Sequence, residues 1–104
     1  MTGITQEIND LILDLESDKN LQKNEAFLCE IFFVYEKATC DAMEVAERHD
    51  DKEILVDAKL AEKKMNEIYN VLFATKSTVE ENLVRIQKAA DLIIKYKTYF
   101  QITI

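Results

Sequence analysis

The residues of this 104-residue chain whose types could do chemistry are concentrated in one stretch, Leu28–His49, which holds both cysteines and the only histidine. Cys29 and Cys40 are eleven residues apart. On a helix that spacing returns them to nearly the same azimuth but separates them by about 16 Å along the axis. A disulfide needs Cα atoms within about 7 Å, so the two cannot pair inside one unbroken helix. Nor can both share a zinc ion with His49. They read as small packing hydrophobes, with no series of basic neighbours to favour a thiolate. His49 falls at the carboxyl end of its helix, where positive charge is favoured, and reads as a capping or packing residue.

Carboxylates are the remaining chemical candidates. Asp41, Glu44 and Glu47 raise the question of a metal-dependent helical enzyme, with His49 and a divalent ion completing it. Glu44-Val45-Ala46-Glu47 resembles the first half of the E-x-x-E and E-x-x-D pair used by the all-helical nucleotide pyrophosphohydrolases related to MazG. No E-x-x-D begins after Glu47, so the half that completes the magnesium site is missing. The E-x-x-H of di-iron bundles is absent, and Arg48 adjoins His49 where the helical HEPN ribonucleases space arginine and histidine apart. One glycine, Gly3, cannot make a phosphate-binding loop. The expectation is a non-enzymatic protein with no catalytic residue, no cofactor and no metal.

The elements that carry these residues follow from composition and rhythm. There is no proline and a single glycine, whereas a sheet protein of this length needs several tight turns. An all-α fold is therefore expected: an elongated antiparallel bundle of three long helices plus a short N-terminal helix, with coiled-coil-like packing. Apolar or half-apolar residues at 28, 31, 35, 38, 42, 45 and 49 alternate in threes and fours. One domain spanning 1–104 is expected, with helices at about 5–16, 21–49, 51–75 and 78–100.

Local signals set those boundaries. Thr5 is a plausible N-cap for the first helix, whose apolar face holds Ile4, Ile8, Leu11, Ile12 and Leu15. Ser17–Asn20 supplies capping side chains and breaks the phase. Asp50 with Glu53 reads as a capping pair, and the stripe shifts there to Ile54, Ala58, Ala61, Met65, Ile68 and Leu72. Ser77 and Glu80 form an S-x-x-E box ahead of Val79, Leu83, Ile86, Ala90, Ile93, Lys97 and Phe100. Short connections make neighbouring helices antiparallel.

Charge narrows the partners. Residues 1–52 hold 13 acids against 5 bases, −8, and residues 53–104 hold 7 against 8, +1. Such an acidic half repels phosphate backbones and anionic lipid, so neither nucleic acid nor membrane is an expected partner. No apolar run approaches the ~20 residues of a membrane span and no secretory signal opens the sequence, so a cytoplasmic address with reduced thiols is expected.

The apolar surface exceeds one seam. "IFFVY" is apolar nearly all the way round, and Ala89, Leu92, Tyr96 and Tyr99 add a second stripe to the last helix. A central helix meets several neighbours, which accounts for part of this. The first helix is nevertheless too short to cover the second. Phe27, Phe33, Val34, Leu92, Tyr96 and Tyr99 are thus the expected contacts of a protein partner or a homo-oligomer. In size, acidity and helicity the chain is similar to small chaperones of bacterial type III and flagellar secretion, without a shared motif. A competing expectation is an acidic inhibitor or immunity protein presenting Glu7, Asp10, Asp14, Glu25, Glu36, Asp41 and Glu47 to a basic partner.

Overall fold

Four α-helices run in chain order: α1 (Gly3–Ser17), α2 (Glu25–His49), α3 (Lys52–Leu72) and α4 (Val79–Lys95). The computed structural model describes residues 3–74 and 78–102. Short 3-10 turns at Leu21–Lys23 and Lys97–Phe100 follow α1 and α4. The structure is 87% helical, with no strand among the described residues, so the expected all-α bundle is what forms. It measures 47 × 26 × 17 Å.

Tertiary pairs give the directions of the helices. Near the start of α2, Glu25 pairs with Arg85 of α4; ten residues on, Tyr35 reaches Ile93 near the end of α4. α2 and α4 therefore run parallel, and α3 returns antiparallel to both, bringing Phe73 back onto Phe32. The largest buried side chains gather where all four helices meet: Ile8 and Leu15 of α1, Leu28, Ile31 and Tyr35 of α2, Ile68 and Leu72 of α3, and Ile93 of α4, with Phe100 beyond it. Farther along the α2–α3 hairpin, Ala42, Ala46 and Ala58 are buried but stand apart from that cluster. Small side chains let two helices approach closely where no third helix supplies cover.

Several boundaries differ from expectation, each for a local reason. Thr5 lies inside α1, which begins at Gly3; the side chain of Ile4 lies outside the described residues. α2 starts at Glu25 rather than 21, because the Asn24 side chain accepts from the Phe27 amide and Leu21–Lys23 is wound as a 3-10 turn. Helices α2 and α3 are separate, as expected, but the caps are shifted by one. Asp50 sits in the left-handed region at φ 49° and ends α2, while the Asp51 carboxylate accepts from the amides of Glu53 and Ile54 and starts α3. Thr78 caps α4, its hydroxyl accepting from the Glu81 amide. Ser77 and Thr75, the expected end of the third helix, lie outside the described residues. α4 ends at Lys95 rather than 100, and the chain tightens into the Lys97–Phe100 turn, which stacks Phe100 on Tyr35 with ring centroids 3.9 Å apart.

The seam on α2 also departs from a strict heptad. Buried positions continue through Thr39, Ala42 and Ala46, whereas Val45 is half-buried and His49 exposed. A straight helix drifts about 20° per heptad, so three heptads carry the buried line from the 45–49 track to 46.

Candidate functional site

The residues with chemical potential are not brought together. Cys40 is exposed and Cys29 half-buried, and neither is joined in a disulfide. Asp41 accepts from Lys37 at 3.2 Å and Glu44 pairs with Arg48, each within α2, so both carboxylates are engaged along their own helix rather than converging. Among the described residues no group of three or more His, Cys, Asp or Glu could hold a metal ion. The acidic stripe is similarly dispersed: Asp10 accepts from Gln6 at 2.9 Å and Glu25 is committed to Arg85.

Among the described residues Arg85 is the one buried cation. Its guanidinium donates to the Leu72 carbonyl, to Glu25 and to Asn82, joining the end of α3, the start of α2 and the second turn of α4. Helix C-termini leave carbonyls without intrahelical partners, and Arg85 satisfies one of them. Nothing in the hydropathy pattern marks this arginine as internal. It also explains why Val79 and Leu83, expected on the seam, are exposed. Because Arg85 lies level with the first residue of α2, the turns of α4 that precede it extend beyond the start of α2.

The six expected contact residues divide. Tyr96 is buried, with its hydroxyl donating to Glu67 at 3.3 Å. Phe27, Val34 and Leu92 are half-buried and pack against the core. Tyr99 is partly exposed, and the Lys64 ammonium lies 5.3 Å from its ring and 4.8 Å from that of Tyr96. A hydrogen bond to Glu67 raises the Lys64 pKa above the ordinary lysine value, so the cation is held over these rings. Phe33 is 56% exposed.

Phe33 does not stand alone. Tyr69 in the last turn of α3 and Phe73, its C-cap, are 50% and 42% exposed, and all three surround the buried ring of Phe32. Phe32 meets Phe33 edge-on at 5.8 Å and Phe73 at 5.3 Å; Tyr69 lies 6.0 Å from Phe32 and 5.0 Å from Phe73. These separations and tilts are those at which aromatic rings attract one another. The result is an aromatic face across the α2–α3 groove in which the touching rings of Tyr69 and Phe73 lie on one side of Phe32 and Phe33 packs on the same buried ring from α2. Tyr69 and Phe73 escaped sequence reasoning because they lie beside, not on, the buried stripe of α3; their i,i+4 aromatic spacing at a helix end was the available signal.

A second concavity, about 580 Å³ in volume, lies between the start of α3 and the C-terminal turn. Asp51, Glu53 and Asp57 line one side, and Leu60, Tyr99 and Ile102 contribute apolar surface. Asp51 is already occupied as the α3 cap. No helix of the described residues is long and apolar enough to cross a membrane. Comparison with protein-family models, with curated proteins and with solved structures finds no match to this chain.

Proposed function

We propose that the chain is a non-enzymatic interaction module, an adaptor or chaperone-like protein that binds a helix of another protein or a second copy of itself through the α2–α3 aromatic face. The observation that supports this reading is the contact between the exposed rings of Tyr69 and Phe73, with exposed Phe33 packed on the Phe32 ring that both of them also meet. Single exposed hydrophobics are ordinary on protein surfaces, but large aromatics that touch one another in the open are a feature of binding faces. Tyrosine and phenylalanine bring large contact area with little side-chain entropy to lose, which is why aromatic residues are enriched at interface centres. A groove between two antiparallel helices also has the shape that receives the apolar stripe of a third.

Photo-crosslinking tests this directly. Benzoylphenylalanine placed at Phe33 or Tyr69 in the native host is expected to give protein adducts absent when it replaces Leu13, an exposed residue of α1. Sedimentation mass separates a homo-oligomer from a complex with another chain. Adducts no more abundant from positions 33 and 69 than from 13 would count against the aromatic face.

A further inference from the structure

The partner's chemistry is written in the rim of the aromatic face. Glu30 and Glu36 stand one turn either side of Phe33 on α2, and Glu62 lies two turns before Tyr69 on the same side of α3. All three are exposed, and none forms an ion pair among the described residues. The nearest cation on this side of α2, Lys37, is neutralised by Asp41 at 3.2 Å. The face is thus apolar at its centre and negative along its α2 edge, while on α3 Glu62 stands beside exposed Lys59 and Lys63.

We infer that its occupant is a basic amphipathic helix, with an apolar stripe that fills the Phe33–Tyr69–Phe73 surface and lysines or arginines along its flanks that meet Glu30, Glu36 and Glu62. This rests on the aromatic face being the docking surface and adds the charge of what docks. A second copy of the chain is the poorer fit: it would bring the same acidic rim and a net charge of −7 against its own kind. Rim charges act mainly on selection and on the rate of encounter, so the preference should be a discrimination between partners more than a source of raw affinity.

The test uses the whole chain and two fluorescein-labelled synthetic helices of about 18 residues with an identical leucine stripe. One is flanked by lysines, the other by glutamates. Fluorescence anisotropy should show the lysine helix binding about tenfold or more tighter than the glutamate helix, a gap that narrows as salt screens the rim. In the double variant Phe33→Ala with Tyr69→Ala, which keeps every charge, lysine-helix affinity should fall about tenfold. In Glu36→Lys with Glu62→Lys, which keeps the rings, the preference between helices should shrink by at least about fivefold. Equal binding of the two helices, both lost in the ring variant, would overturn the basic-partner inference and leave the docking face standing. Lysine-helix binding that survives the ring variant would show attraction to net charge alone and overturn the inference. Failure of both helices to bind would count against the inference and the docking face alike.

Discussion

The hydroxyl of Tyr35, in the middle of α2, donates to the carbonyl of Ile93, in the last turn of α4, at 2.8 Å. The two residues are 58 apart in sequence. This bond satisfies one of the carbonyls that a helix end leaves open, as Arg85 does for Leu72 at the end of α3. Two helices of the bundle thus have a terminal carbonyl satisfied by a side chain from a neighbour, in addition to the backbone bonds of their own C-caps.

Replacing Tyr35 with Phe keeps the ring stacked on Phe100 and removes only the bond. The expected loss is about 1 kcal/mol at neutral pH, read as a fall of about 4–8 °C in Tm. Alkaline behaviour gives a second readout. Burial, and secondarily the Glu16 carboxylate, push the Tyr35 pKa well above its ordinary value of 10.0. Above pH 10 the unfolded chain releases this proton while the folded chain keeps it, so the stabilisation is complete below pH 10 and declines as pH rises beyond it. Melting of the wild type should therefore fall between pH 9.5 and 11 more steeply than that of Tyr35→Phe. Lys64, also raised, leaves some slope in both. Parallel curves would refute the assignment.

Arg85→Met tests the other closure. It strands the Leu72 carbonyl and removes the ion pair to Glu25, at an expected cost of about 2–4 kcal/mol by urea denaturation. Glu25→Gln, which keeps a hydrogen-bond acceptor beside the guanidinium, should cost less than half of that. Equal effects would mean that the ion pair, not the carbonyl cap, dominates.

The α2–α3 corner yields two changes of opposite sign at adjacent aspartates. Asp51→Ala deletes the N-cap of α3 and should cost about 1 kcal/mol. Asp50→Gly relieves a left-handed backbone that glycine adopts freely and should stabilise by about 0.5 kcal/mol, despite the more flexible unfolded chain. Chemical denaturation of both variants checks the pair; destabilisation by the glycine would contradict the corner geometry.

Adjacent phenylalanines should separate core from surface. Phe32 is 3% exposed beneath the aromatic face, so Phe32→Ala is expected to cost about 3–5 kcal/mol. Phe33→Ala should remain within about 0.5 kcal/mol of the wild type. A comparable loss at both positions would place Phe33 in the stabilising core.

Farther down the hairpin, Ala42→Leu forces an isopropyl group into a two-helix contact. The expected cost is about 1–3 kcal/mol, with little change at exposed Cys40 two positions away. Thermal melting of Ala42→Leu and Cys40→Leu makes the comparison.

The sequence by itself determined that the chain is helical and where the buried stripe of α3 and the first half of that of α2 run; the Asp50–Glu53 pair and the change of face pointed to a break between α2 and α3 but did not exclude one continuous helix. Those signals are local: the absence of proline, a capping aspartate and an apolar rhythm each act within one or two turns. Even the errors were local, a cap displaced by one residue at Asp51 and at Thr78, since adjacent Asp or Thr and Ser side chains compete for the same amides. Only the tertiary structure decided that Tyr96 turns inward while Phe33 faces out, that Arg85 is buried, and that Tyr69 and Phe73 join Phe33. Periodicity states which side of a helix is apolar, but coverage depends on where other helices begin and end, and that is set by contacts between residues tens of positions apart.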